Sequence, residues 1–271
     1  MAQPRAAVAW ETLQQAEQHA GQAAPVEQAL IGALAKRYPN AQPLEPATEG
    51  PVLVAYAEAM KAVAQRFPDD NDLQVMTAEA MMNIHAWKLW TQDGAPAPGT
   101  GEIVAILERV LAKDPRHPGA NHYYIHAVEA SPNPVKGVAA AERLPGMMPA
   151  AGHLEHMPAH IMQRVGRYED AAEVNRKGIA ADLAYFAMAK PPDYYVMYTA
   201  HNYQFLAFSA AMEGRARRTR KAGREQRQRR PKPAAGCARC RRPHRQSSYC
   251  ADGEQARRSR RHVARGGGER R

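Results

Sequence analysis

The sequence predicts an all-α protein over residues 1–214, built as an array of packed helical hairpins. Apolar residues recur there at three- and four-residue spacing, which is the periodicity of amphipathic helices. Proline and glycine fall between the periodic segments, where they end one helix and precede the next. Alternating apolar and polar runs, which half-buried strands need, are absent. The predicted helices are residues 8–20, 26–38, 52–67, 73–90, 103–113, 122–129, 161–165, 168–184 and 198–212.

The predicted hairpins have features of a repeat. In the segment 163–182, the small residues Gly166, Ala171 and Gly178 fall where two helices of a hairpin approach closely. This segment resembles the second half of a tetratricopeptide (TPR) repeat, and the helix closed by Asp114 and Pro115 resembles the end of another. The spacing between repeats is irregular, and an insertion around residues 93–101 accounts for it. The resemblance implies a TPR-like α-solenoid.

Residues 50–214 also resemble a group of divergent bacterial TPR proteins. The resemblance lies in three short phrases that contain histidine, and it implies the same fold with a histidine-rich inner face. The phrases are His122-Tyr-Tyr-Ile-His126, His153-Leu-Glu-His-Met-Pro-Ala-His160 and Ala200-His-Asn-Tyr203.

The histidines fall on the predicted first helices of successive hairpins, which line the concave surface of such an array. Within a helix they follow i, i+3, i+4 and i+7 spacing, which places them on one face. Pro158 favours a helix start near Met157, which would leave His153 and His156 in the approach loop or at the cap. We expect the groove to be lined by His122, His126, Glu129, His153, His156, His160 and His201, with Glu79, Glu155, Tyr123 and Tyr198 as further candidates.

This set of residues fits several functions. Neutral imidazole is a common ligand of Zn, Cu, Ni and Fe, so we expect a binding protein whose groove holds a divalent transition metal. With the tyrosines, the groove would also suit a small polar ligand, a peptide or a protein. One alternative is a metal-dependent enzyme with Glu129 or Glu155 as the proton-transfer group. Another is a protein–protein scaffold without metal, in which the histidines only pack.

Residues 215–271 differ sharply from the rest in composition. They carry 19 Arg and 2 Lys against four acidic residues, a charge of +17, whereas residues 1–214 carry −7. Val263 is the only aliphatic residue there that is larger than Ala, so the sequence predicts a disordered basic tail. Three interpretations stay open: an arm that binds nucleic acid, a frameshifted segment, and a metal module that resembles a zinc knuckle. The ligands of that module would be Cys237, Cys240, His244 and Cys250.

The chain is therefore expected to consist of a TPR-like domain at residues 1–214 and a tail at residues 215–271. The first helix starts almost at Met1 with no polar capping repeat, so an N-terminal repeat is interpreted as missing. No apolar run approaches the roughly 18–20 residues of a membrane span. No signal-peptide pattern opens the chain. A cytoplasmic protein with no membrane partner is the resulting expectation.

Overall fold

The computed structural model describes residues 3–192, 194–215 and 221–225, which belong to one compact unit spanning residues 1–230. The only β-type pairing among these residues is an isolated bridge between Trp90 and Pro96, so the predicted all-α fold is confirmed. The predicted knuckle-like set and most of the predicted tail lie outside the described residues. The helices are α1 (Gln3–His19), α2 (Pro25–Arg37), α3 (Pro46–Arg66), α4 (Asn71–Ile84), α5 (Thr100–Lys113), α6 (Pro118–Val128), α7 (Val138–Arg143), α8 (Gly152–His156), α9 (Pro158–Arg164), α10 (Tyr168–Met188) and α11 (Tyr195–Met212).

Helices pack mainly on their neighbours in sequence, as expected for stacked hairpins. One core cluster runs continuously from α2 to α9, and smaller clusters lie between α9, α10 and α11. Within the array, α4, α6, α8 with α9, and α11 are the first helices of successive hairpins. The largest fully buried side chains of the main cluster include Met60, Leu73, Ile103, Leu107, Ile125, Leu144 and Met157. In the described part of the chain, no helix is both long and apolar enough to cross a membrane.

The predicted helix over residues 73–90 is wrong in its last third. Helix α4 ends at Ile84, and Trp87 adopts the left-handed conformation with φ of 64°, which a continuing helix cannot accommodate. The chain then makes a turn that carries the predicted insertion. There the indole N–H of Trp90 donates to the carbonyl of Ala127 at 2.7 Å, which anchors the insertion to the end of α6. Trp87 itself is 67% exposed, so it does not pack between hairpins.

The expectation from Pro158 is half correct. Pro158 is the first residue of α9, as predicted, but His153 and His156 do not lie in a loop. They belong to the short helix α8, and Met157 between the two helices keeps helical dihedral angles. The histidine stripe therefore continues from α8 into α9 almost without interruption.

A close backbone contact fixes α8 against α10. Gly152 and Gly178 approach so closely that a Cβ on Gly152 would lie 2.6 Å from the Gly178 carbonyl and would also overlap Asp182. The buried Asp182 carboxylate ties α10 to α11 by accepting hydrogen bonds, and burial raises its pKa above the usual range. Its three donors are the Tyr195 hydroxyl at 3.1 Å, the Thr199 hydroxyl at 2.8 Å and the Asn202 amide at 3.0 Å.

The chain stays packed beyond the end of α11. Gly214 has φ of 74°, so it turns the chain out of the helix in a conformation that glycine adopts at little cost. Residues 221–225 are helical, and Ala222 is buried against Ile179 and Tyr203. Among the described residues that follow residue 214, Ala222 therefore contributes to a core cluster.

Candidate metal centre

The structure brings all six predicted groove histidines into one cluster between α6, α8, α9 and α11. They form two groups of three, and within each group one possible ligand atom per residue lies within 4.8 Å of the others. We call the half-buried group the outer triad and the more deeply buried group the inner triad. The outer triad is His122, His126 and His153, and the inner triad is His156, His160 and His201.

The inner triad places two imidazole nitrogens face to face. The Nε2 atoms of His156 and His160 lie 2.9 Å apart, and the His201 ring centre lies 4.9 Å from that of His156 and 5.5 Å from that of His160. His156 and His160 are one turn apart, at i and i+4, so the backbone of α8 and α9 sets their separation. His201 reaches them from α11, the first helix of the following hairpin.

Neighbouring groups fix which nitrogen of each inner ring carries the proton. The Asn175 amide donates to the Ala171 carbonyl at 2.6 Å, so its Oδ1 atom must face His156 Nδ1, 2.7 Å away. His156 Nδ1 is therefore the donor. His160 Nδ1 lies 2.5 Å from a Glu129 carboxylate oxygen, which can only accept. With both Nδ1 atoms protonated, the two facing Nε2 atoms each present a lone pair in the neutral rings.

The outer triad also contains a facing Nε2 pair, but here the ring bound to Glu129 is the third histidine rather than a member of the pair. The Nε2 atoms of His122 and His153 lie 3.1 Å apart, and His126 donates from Nδ1 to Glu129 at 3.0 Å. His153 Nδ1 is buried and has no hydrogen-bond partner among the described residues. Burying a ring nitrogen without a hydrogen-bond partner is unfavourable, and a ligand bound to that nitrogen would remove the penalty.

Glu129 is shared by the two triads. It is buried, and one carboxylate oxygen accepts from His126 of the outer triad while the other accepts from His160 of the inner triad. Burial opposes its ionisation, but the two facing imidazoles outweigh burial and hold the pKa of Glu129 well below its usual range. The carboxylate is therefore charged, and it orients one ring in each triad.

Four of the six rings, His122, His153, His156 and His201, are held in the neutral form that metal binding requires. Burial and the proximity of the other histidines lower the pKa of His153 to about 3, and that of His201 to about 3. The same two causes lower the pKa of His122 and of His156 well below the usual range. These four imidazoles are unprotonated at neutral pH and present lone pairs without first having to lose a proton.

The distances fit bound ions. In a tetrahedral site with Zn–N bonds of 2.0–2.1 Å, two ligand nitrogens lie about 3.3 Å apart. The facing Nε2 pairs, at 2.9 and 3.1 Å, need to open only slightly to reach that spacing. Three nitrogen ligands also leave a fourth position open for water or another ligand.

The two further carboxylates that the sequence singled out do not join the cluster. The carboxylate of Glu155 is buried but accepts from the Gly146 backbone N–H at 2.7 Å. Glu79 accepts from the Asn83 amide at 2.5 Å and lies close enough to Tyr123 to help burial raise the pKa of that phenol to about 12. Glu79 thus lies beside the aromatic part of the groove. The interpretation of Glu155 as a proton-transfer group has no geometric support.

Aromatic rings surround the imidazoles. Tyr123 and Tyr198, both predicted for the groove, lie against His122 at 4.6 Å and His153 at 5.2 Å between ring centres. Sequence reasoning missed Phe205, whose ring centre lies 4.5 to 4.9 Å from those of the inner triad. It also missed Asn175, and it did not place Trp87 beside His126, 5.6 Å away. Phe205 is at i+4 from His201, a spacing that could have indicated it.

Comparison with known proteins supports the fold and no more. No protein-family model and no curated protein matches the chain. A crystal structure of the MamA protein matches with a TM-score of 0.51 at 11% identity, covering 74% of this chain and 92% of that chain. MamA residues 41 to the end from Desulfovibrio magneticus RS-1 match with a TM-score of 0.46 at 13% identity, covering 66% of this chain and 84% of that chain. MamA is a TPR-like helical repeat protein, so the first of these matches supports a TPR-like fold.

Proposed function

We propose that this helical-repeat protein binds divalent transition-metal ions through the outer and inner triads. The observation that carries the proposal is the facing Nε2 pair of His156 and His160, 2.9 Å apart, with both Nδ1 atoms already committed as donors. Two lone pairs at that distance repel each other unless a cation lies between them. A metal ion can fill that role, and so can a proton on either of the two rings.

The surroundings of the rings support a metal ion. Histidines that bind metals almost always donate their other ring N–H to a carboxylate or a carbonyl, which fixes the ring and raises its basicity. Glu129 and Asn175 provide such acceptors to three of the six rings. An all-imidazole ligand set suits Zn, Cu, Ni and Fe(II) rather than Mg or Ca, which prefer oxygen.

The test is metal analysis of the full chain, purified without a polyhistidine tag and stripped with a chelator. We expect up to two Zn(II), Ni(II) or Cu(II) ions per chain, measured by elemental analysis after desalting. His201→Ala is expected to lose one of the ions. His156→Ala is expected to lose the same ion. Because His201 is only half-buried, its replacement should disturb packing less than replacement of the buried His156, so His201→Ala is the variant more certain to fold.

Two controls separate this centre from other sources of binding. His19→Ala removes an exposed histidine of α1 and should leave binding unchanged. Replacing Cys237, Cys240 and Cys250 with Ser removes the thiols of the knuckle-like set. If the serine variant retains no ion, or if the chain binds none of these metals, the proposal is wrong.

A second candidate function is peptide binding beside the same cluster. The start of α11 exposes apolar surface next to the outer triad, at Tyr194, Met197 and Tyr198, which are 51%, 52% and 43% exposed. Concave surfaces of helical repeats commonly bind extended partners. Peptides selected on the immobilised full chain should bind Tyr198→Ala and Met197→Ala at least about tenfold more weakly, because buried aromatic anchors dominate such contacts. Unchanged affinity of both variants would argue against a peptide site here.

A further inference from the structure

The two triads are directly adjacent, with no layer of protein between them. The ring centres of His126 and His160, which belong to different triads, lie 5.6 Å apart, and those of His153 and His156 lie 6.1 Å apart. Distances between ring centres within the triads are 4.9 to 6.0 Å. The spacing between triads is thus nearly the same as the spacing within each.

Glu129 connects the two triads chemically as well as spatially. One of its oxygens accepts from His126 Nδ1 and the other from His160 Nδ1, which leaves the Nε2 atom of each ring available to an ion. An ion bound by either ring draws electron density from it and strengthens its N–H donation to the carboxylate. The carboxylate then accepts less strongly from the ring of the other triad, so the binding of one ion would alter the affinity of the site for the other.

The charges of the site do not balance when both triads are filled. Two divalent ions bring four positive charges, and the imidazoles are neutral. Glu129 contacts one ring in each triad and supplies one negative charge. An uncompensated charge that is largely removed from water is costly, so we expect further negative charge to enter with the ions.

We propose that the two triads form one dinuclear centre whose ions bind a small anion between them at their open coordination positions. This inference rests on the metal binding proposed above and identifies the ligand class of that site: hydroxide or a compact anion such as azide or carboxylate. Paired ions about 3.5–4 Å apart are a common arrangement for holding an oxygen ligand from two sides. The open positions follow from the three nitrogen ligands that each triad supplies.

The access route for such an anion lies on the side of the outer triad. Its three histidines are half-buried, whereas His156 and His160 of the inner triad are buried. Tyr198, which is 43% exposed, lies against His153 and marks the edge of the opening. An anion that enters from this side would meet the outer ion first.

Cu(II) is the probe for this proposal, because electron paramagnetic resonance distinguishes isolated from paired Cu(II) ions. The full chain with its three cysteines replaced by serine is loaded with one and then two equivalents of Cu(II). With two ions bound, we expect a double-integrated signal clearly below two spins per chain, together with a half-field transition. His201→Ala, which keeps one complete triad, should bind one Cu(II) with a full single-spin signal.

Azide provides the test of the anion. Adding it to the two-copper form should change the signal and produce a ligand-to-metal absorption band that saturates near one azide per two copper ions. Two bound ions that give two full, independent spins would overturn the dinuclear centre while leaving metal binding intact. Saturation at two azides per copper pair, or no response to azide, would overturn the bridging anion. If Cu(II) does not bind at all, the proposed function itself fails.

Discussion

Replacing Glu129 with Gln tests whether this carboxylate sets the protonation of both triads. The glutamine side chain has nearly the same shape but offers one accepting oxygen, and its other end is a donor. We expect the oxygen to face His160, whose contact with Glu129 is the shorter, at 2.5 Å against 3.0 Å for His126. His126 would then meet an N–H group. Its Nδ1 must become an acceptor, and the ring proton must move to Nε2, where a metal ligand needs a lone pair.

Moving the His126 ring proton to Nε2 should lower the affinity for a metal ion. Removing an acceptor that orients a metal-binding histidine typically weakens metal affinity 10- to 100-fold, which corresponds to about 1.4 to 2.8 kcal/mol. The loss should fall mainly on the outer triad, because His126 belongs to it. One Zn(II) should therefore bind with an affinity close to that of the unmodified chain, and the second 10- to 100-fold more weakly.

Isothermal titration of Zn(II) into the stripped full chain measures both affinities, with circular dichroism as the check on helix content. Glu155→Gln is the matched control, since Glu155 is also a buried carboxylate but accepts from the Gly146 amide rather than from a histidine. A glutamine oxygen can accept that bond, so both Zn(II) affinities should persist. Equal Zn(II) binding by Glu129→Gln and by the unmodified chain would refute the role given to Glu129.

Three further predictions concern the scaffold around the cluster. Gly152→Ala puts a methyl group against the Gly178 carbonyl and should cost about 2 kcal/mol, lowering the Tm by about 4–8 °C in a thermal melt. Asp182→Ala leaves three donors without their acceptor and should lower the free energy of unfolding in urea by about 2–4 kcal/mol. Trp90→Phe keeps an aromatic ring at this position but loses the hydrogen bond to the Ala127 carbonyl. The free energy of unfolding in urea should therefore fall by only about 1 kcal/mol. Changes below about 0.5 kcal/mol in any of the three would contradict the corresponding contact.

Apolar periodicity predicted most of the fold, because long amphipathic helices carry that signal in every turn. It failed after Ile84, where the sequence continues with apolar and aromatic residues although the helix has ended. Trp87 adopts a left-handed conformation there, and Trp90 is held by a hydrogen bond to another helix. Neither feature has a local sequence signature, since both depend on the insertion packing against α6.

The candidate site was predictable as a set of histidines but not as two triads. Spacing along α6, α8 and α9 placed the rings on shared faces, whereas pairing across helices depends on how the hairpins stack. Glu155 could have been excluded from sequence alone. It follows His153 by two residues, which on a helix is a rotation of about 200°, so the two side chains point to opposite sides. Asn175 was missed because a single polar residue on a second helix gives no pattern.

The array itself explains why these rings meet. Packed helices lie about 8–10 Å apart, and an imidazole reaches roughly half that distance from its backbone, so rings from neighbouring first helices come into contact. The outer triad combines two rings of α6 with one of α8, and the inner triad combines rings of α8 and α9 with one of α11. Each triad therefore spans the junction between two hairpins, and an ion bound there, as proposed, would tie the two hairpins together. In a repeat protein, stability is largely the sum of such junctions. At a free ion concentration of 100 times the Kd, a bound ion would stabilise the junction that it spans by about 2.7 kcal/mol. If the triads bind ions as proposed, separation of α11 from α9 would release the inner ion while the outer triad stays complete. Metal occupancy and folding would then be coupled most directly at the junction between α9 and α11.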